Sequence, residues 1–201
     1  MKFLRTAFVL LLAGLATAAS PASPQQDAPP SRTPVVVFIL RHAEKPLGEG
    51  SKDPNLTTQG LHRAQAIPSL FLMMPGATQP ARFPRPDYIF ASDASKGSNR
   101  PVETITPLAQ MARLKVNHDF ADLETGPLAK ELLSGKYAGK VVVICWHHSE
   151  IPHLAQALGV SGAPKKWDPD VFDQIWEVRW PDGKAELTIL PQRLLSGDSK
   201  Q

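Results

Sequence analysis

The sequence predicts an α/β fold, a three-layer sandwich whose mostly parallel sheet carries helices on both faces and ends in a C-terminal hairpin. Three observations support this. The apolar runs Val35–Leu40 and Val141–Trp146 show no alternation, as expected of strands buried on both faces. Strand-like and helical segments alternate between them, the pattern of parallel strands joined by crossover helices. The tail changes pattern: Gln174–Trp180 and Ala185–Leu190 flank the turn Pro181-Asp182-Gly183-Lys184, as a hairpin requires.

The first strand, Val35–Leu40, runs straight into Arg41-His42-Ala43-Glu44. From Asp53 the chain reads as a turn, then an N-cap at Thr57 or Thr58, then a helix over Thr58–Met73. Met73 to Pro86 is a proline-broken loop. Tyr88–Ala91 is the second strand, and a loop of small residues carries it to Arg100. Pro101 suits the opening turn of a helix over Pro101–Ala112. Pro68 and Pro107 each lack the N–H that a helix interior uses, so both should kink or interrupt their helices. Leu114–Asn117 follows as a strand, Leu128–Leu133 as a helix, Val141–Trp146 as a strand and Ile151–Leu158 as a helix. No internal repeat is visible.

The N-terminus has the three parts of a secretory signal. Lys2 and Arg5 precede the apolar stretch Ala7–Leu15, and Ala16-Thr17-Ala18 offers small residues for cleavage. The apolar stretch is too short to span a bilayer, and no cysteine stands near the cleavage region to carry a lipid. Residues 19–34, rich in Pro, Ser and Gln, have little to bury and are expected to form a disordered linker. The expected organisation is therefore a signal over 1–18, a linker over 19–34 and one domain over 35–196, in a protein that is secreted or periplasmic. The formal charge of +3 falls when the signal leaves with Lys2 and Arg5, because 20 basic side chains then face 19 acidic ones. These basic residues are scattered, which argues against a nucleic-acid-binding face. With the one cysteine, Cys145, no internal disulfide is possible, so stability must come from the core.

An imidazole beside a guanidinium at a strand's carboxyl end suggests anion chemistry, because that is where α/β sheets present their ligands. Three more segments extend the pattern. They are Leu56-Thr57-x-x-Gly60-x-x-Arg63-Ala64, Arg100-x-x-Glu103-Thr104, and the strand ending Trp146-His147-His148-x-x-Ile151-Pro152. Taken in order with Arg41-His42, they resemble the histidine phosphatase, or phosphoglycerate mutase-like, superfamily. The resemblance extends from Val35 to the Pro191–Leu195 region. It departs from the common pattern twice: the usual Gly-His is replaced by Trp146-His147-His148, and Arg100 lies farther than usual from Ser92, which implies a small loop insertion.

This resemblance implies a phosphatase that hydrolyses phosphomonoesters through a phosphohistidine. Transfer through a covalent intermediate needs a nucleophile unprotonated near neutral pH, which suits histidine, and His42 is the candidate. Arg41, Arg100 and the second histidine would surround the transferring group, with guanidinium forks matched to phosphate oxygens. The design requires no metal or other cofactor. For the second histidine, the Trp-x-His-x-x-Ile-Pro frame selects His148 and leaves His147 as a substrate-binding neighbour, whereas a Gly-His frame selects His147; the first frame is preferred. The leaving alkoxide needs a proton, and the resemblance offers Asp122, Glu124 and Glu150. Glu124 is preferred because its segment is polar and turn-rich, and loops over the sheet edge can reach the site. The candidate catalytic residues are thus His42, His148 and Glu124, with Arg41, Arg100 and His147 binding substrate.

Other chemistries fit less well. A cysteine phosphatase needs Arg six residues after the nucleophile, but Ile151 stands six past Cys145. Neither principal strand ends in Asp-x-Asp, and Gly135 to Lys140 is followed by Val141 where a Walker loop has Ser or Thr. A zinc site from His147, His148 and His153 lacks an i, i+4 histidine pair or cysteine spacing. His62, His118 and His153 read as surface imidazoles. The partner expected is a small phosphomonoester or a phosphoprotein. The alternatives are a non-catalytic module that binds phosphorylated ligands, and a phosphomutase.

Overall fold

The computed structural model describes residues 33–46, 53–95 and 97–199, all within one compact unit, Ser31–Gln201. The expected signal and all of the expected linker but Thr33 and Pro34 lie outside the described residues. The strands are β1 (Val36–Arg41), β2 (Tyr88–Ser92), β3 (Val116–Phe120), β4 (Val141–Trp146), β5 (Gln174–Arg179) and β6 (Glu186–Pro191). The helices are α1 (Thr58–Ala66), α2 (Pro68–Phe71), α3 (Arg100–Ala112), α4 (Thr125–Leu132) and α5 (Ile151–Ala157). The sheet order is β3-β2-β4-β1-β5-β6. The four strands from β3 to β1 pair in parallel, while β5 runs antiparallel to β1 and β6 antiparallel to β5. Among the described residues, no helix is long and apolar enough to cross a membrane.

The pleat explains the two cores. In β1, Val36, Phe38 and Leu40 face one side and Val37 and Ile39 the other, all fully buried. The first side packs on α2, α3 and Ile67, which joins α1 to α2, through Ile67, Phe71, Ile105 and Leu108, the second on α4 and α5 through Leu128, Leu132, Ile151 and Leu154. Each such side chain contributes about 2 kcal/mol by leaving water, so both faces of the central strands must be apolar. That requirement explains the continuous runs in the sequence.

Several boundaries differ from expectation for local reasons. The expected helix over Thr58–Met73 breaks at Ile67 into α1 and α2, with Pro68 at the first position of α2. In contrast, α3 is not interrupted at Pro107; it runs on to Ala112, with Ile105, Leu108 and Ala109 buried on either side of the proline. The third strand starts at Val116, not Leu114, because Arg113 takes a left-handed conformation (φ 55°) and Leu114 N–H still closes the helix end on Ala109 O. Helix α4 begins at Thr125, three residues earlier than expected. Pro127 is tolerated there because first-turn N–H groups have no intrahelical acceptor. The hairpin reverses at Asp182 and Gly183, both with positive φ (53° and 77°).

Two connections set the loop after β1. Thr57 caps α1 through Gly60 N–H, and its own N–H and hydroxyl both bond Glu44 O. This draws α1 so close that a Cβ on Gly60 would overlap the Glu44 carbonyl oxygen. The Arg63 side chain, only 3% exposed, then holds the Glu44 carboxylate at 2.8 Å and the Asp198 carboxylate at 2.7 Å, with Gln192 Oε1 at 3.2 Å. Burial alone would push the Asp198 carboxyl up, but Arg63 and the N–H groups of Leu195 and Leu194 outweigh it and hold it below its ordinary value. Asp198 lies just beyond the expected domain end at 196.

Gly60→Ala should therefore cost about 1–3 kcal/mol in urea denaturation, as overpacking against backbone does. Gly126→Ala, where an added Cβ meets nothing within 4 Å, should be neutral or stabilising. Equal effects at the two sites would refute the close-approach explanation.

Because the Asp198 carboxyl titrates lower folded than unfolded, its contribution is present above about pH 4 and is lost as pH falls through the folded value. Urea midpoints measured from about pH 7 down to pH 3 should fall more steeply for the wild type than for Asp198→Asn, which lacks that contribution throughout. Parallel curves would remove Asp198 from the account.

Candidate active site

Register brings the two histidine segments together. β1 and β4 pair in parallel with Arg41 opposite Trp146, so His42 and His147 leave the sheet side by side. His42 N–H continues the ladder to Trp146 O at 3.0 Å, and the two rings meet edge to face with centroids 5.3 Å apart. The residue pattern favoured His148 for this place. The structure gives it to His147, the residue that leaves β4 beside His42 and whose ring meets the His42 ring.

His42 is 2% exposed. Its Nδ1 lies 2.7 Å from Ala43 O. A carbonyl only accepts, so Nδ1 carries the proton and Nε2 keeps its lone pair. Burial, then the charges of Arg41, His147 and Arg100, lower its pKa to about 2 against the opposing bond to Ala43, so the ring is neutral across the physiological range. Ala43 N–H is in turn bound by Thr104 Oγ1 of α3 at 2.8 Å.

Arg41 is fully buried, and its guanidinium is aimed by the loop before β5. Nη1 donates to the carbonyls of Pro169 (2.6 Å) and Val171 (2.9 Å) and more weakly to that of Asp168 (3.4 Å). The Phe172 ring stacks against the guanidinium, with its centroid 3.8 Å from the guanidinium carbon, and lies 6.1 Å from the His42 ring. Nε and Nη2 are buried without a partner. Together they form the edge that a phosphate or carboxylate takes bidentately. Burial lowers the Arg41 pKa to about 10, which leaves it cationic at neutral pH.

Arg100 opens α3, with Nη1 on Asp53 O at 2.9 Å and Nε buried without a partner. Its charge reaches both Arg41 and His42. The loop before it closes on a Ser95–Ser98 bridge and brings Ser98 Oγ to 3.0 Å from His147 Nε2. His147 Nδ1 lies 2.8 Å from Asp122 Oδ1 and 3.3 Å from Ser92 Oγ. His148 has a buried Nδ1 without a partner, and burial, then the charges of Arg41 and Lys45, lower its pKa to about 4.

The three candidate carboxylates separate clearly. Glu124, the preferred one, is exposed and accepts the N–H of Ala121 at 2.8 Å, closing its own turn. Glu150 pairs with His153 at 3.1 Å. Of the three carboxylates only that of Asp122 contacts the His147 ring, its position fixed by Trp146 Nε1 donating to Asp122 O at 2.8 Å. The sequence reading did not assign Ser92, Ser98, Thr104, Phe172 or the Asp168–Val171 carbonyls to the site. The small-residue loop before Arg100 was the one available signal. Among the described residues, no three His, Cys, Asp or Glu side chains group as metal ligands.

No protein-family model matches this chain. No curated protein matches it in sequence. Solved structures match in fold. Mycobacterial glucosyl-3-phosphoglycerate phosphatase is 16% identical with a TM-score of 0.55, over 78% of this chain and 98% of that one. Phosphoserine phosphatase from Entamoeba histolytica is 16% identical with a TM-score of 0.54, over 80% and 99%. Alpha-ribazole phosphatase from Shigella flexneri is 14% identical with a TM-score of 0.52, over 82% and 100%. At these identities the likeness is one of fold: this chain shares the fold of these three phosphatases.

Proposed function

We propose that this protein is a phosphatase that hydrolyses phosphomonoesters through a phosphohistidine on His42. The observation that carries the reading is the tautomer of His42, whose Nε2 lone pair is preserved by the Nδ1 bond to Ala43 O, beside the unpartnered Nε–Nη2 edge of Arg41. Nε2 attacks phosphorus as the bond to the alcohol oxygen breaks. Arg41 and Arg100 neutralise the equatorial oxygens. The leaving oxygen takes its proton from the Asp122–His147 pair, replacing Glu124 in that role. Water then attacks the phosphohistidine, returns a proton to the pair and releases phosphate and His42. His147 takes the second-histidine role by contact with His42 and Asp122, and His148 stands within reach of the Arg41 and Lys45 charges. The structural neighbours named above are phosphatases of small phosphorylated molecules, in keeping with a small-molecule substrate in preference to nucleic acid.

His42→Ala should lose covalent labelling and turnover while keeping its cooperative unfolding, and chelators should leave wild-type activity intact. His147→Ala should lower kcat and kcat/KM together by about two to four orders of magnitude, as loss of a transition-state donor does, and His148→Ala should cost less. A larger loss in His148→Ala would exchange the two roles. Phosphate binding without turnover of any phosphomonoester would favour the non-catalytic module, and transfer of phosphate between positions of one substrate would favour the mutase.

Export is also proposed, from the charged start, the short apolar run and Ala16-Thr17-Ala18. Mass spectrometry of the native protein should find a mature terminus near Ala19 or Ser20. Recovery of the Met1 form from the cytoplasm would overturn it.

A further inference from the structure

A cleft of about 900 Å³ lies beside the site, lined by Glu44 and Lys45 from the β1 exit, the first turn of α1, the Asp170–Asp173 segment and the Ser196–Ser199 tail. The cleft and the phosphoryl site share a wall, because the Phe172 ring that lines the cleft also stacks on Arg41 and faces His42. A phosphomonoester with phosphorus at His42 Nε2 must direct its alcohol outward. The adjoining cleft has the size of a small-molecule site.

Among the described lining residues, carboxylates outnumber cations. The described wall carries the carboxylates of Glu44, Asp170, Asp173 and Asp198 against the cations Lys45 and Arg63. Arg63 is spent on Glu44 and Asp198, and Asp173 accepts the Ser199 N–H. The Lys45 charge acts with that of Arg41 on His148, which places it at the phosphoryl end. Asp170 is exposed and, among the described residues, its carboxylate has no hydrogen-bond partner; its charge reaches Arg41. A second anionic group in the cleft would face this carboxylate. Hydroxyl groups would find Thr58, Gln59, Ser196 and Ser199 there.

We infer that this cleft receives the alcohol part of the substrate and that Asp170 selects alcohols that are neutral and hydroxyl-rich, or cationic, over those bearing a second anion. The inference rests on the phosphatase reading and names its substrate class. Its test is a comparison of kcat/KM for two near-isosteric pairs. Glycerol phosphate and phosphoglycerate differ by a hydroxymethyl group against a carboxylate, and phosphoethanolamine and phosphoglycolate by an aminomethyl group against a carboxylate.

The wild type should prefer the first member of each pair by about ten-fold or more, since like charges brought together are strongly disfavoured. Asp170→Asn should shrink that ratio by about three-fold or more, Asp170→Lys further still, and added salt should shrink it in the wild type. Each ratio is internal to one variant, so a general loss of activity cancels. Preference for the anionic member, or a ratio unchanged in Asp170→Asn, would overturn the inference while leaving the phosphatase reading standing. Failure to turn over even p-nitrophenyl phosphate would overturn both.

Discussion

The pairing of β1 with β4 is the constraint on which the site depends. Parallel strands present their carboxyl ends on the same edge, and the register that sets Arg41 opposite Trp146 leaves no choice about which residues emerge together. Because every residue of both strands is buried, a slip of one position would exchange their two faces between different helix layers. The apolar packing on both sides therefore fixes the chemistry at the strand ends. His42 bonds Trp146 through its backbone and His147 follows on the next residue, so the two imidazoles meet without a separate device to align them.

Around that pair the protein solves the cost of buried charge in two ways. Arg63 is compensated fully, with two carboxylates and an amide oxygen on its guanidinium, and it serves to join the β1 exit loop, α1 and the C-terminal tail. Arg41 is compensated by half. Carbonyl oxygens take one nitrogen and an aromatic ring covers one face, while the remaining two nitrogens are buried with nothing to accept them. A buried donor pair left unsatisfied costs free energy unless an acceptor arrives. That asymmetry is what distinguishes the structural arginine from the one suited to an oxyanion. It also explains why the loop before β5 matters: its carbonyl oxygens and the Phe172 ring hold the Arg41 guanidinium, and the charges of Asp168 and Asp170 act on it.

The neutral state of His42 follows from the same enclosure. Burial first, and then the charges of the neighbouring side chains, disfavour a second proton on the ring, while its Nδ1 stays committed to the carbonyl of the next residue, Ala43. The surroundings that attract an anion are thus the ones that keep its prospective nucleophile unprotonated. His147 differs in having Asp122 as a counter-charge and two serine hydroxyls within reach, so the two adjacent rings carry different chemistry.

Much of the fold was legible in the sequence, because burial on both faces of β1 and β4 demands unbroken apolar runs and the hairpin demands alternation around Asp182-Gly183. Arg41, His42 and Arg100 were legible for a related reason: each stands at an element end that the sequence marks, the first two where the apolar run of β1 stops and the third just before Pro101 at the opening of α3. Element ends set by backbone conformation, such as the left-handed Arg113 that delays β3, were not marked by any residue preference. Nor could side-chain pattern decide between His147 and His148, or between Asp122 and Glu124. Those pairs stand one or two positions apart and have the same chemistry, so only the strand register and the direction of each side chain separate them. The sequence by itself determined the layers, the order of the elements and the residues at the strand ends; the tertiary structure decided which imidazole faces His42 and which carboxylate reaches it, because contact across strands depends on register, and register is fixed by the packing of the whole sheet.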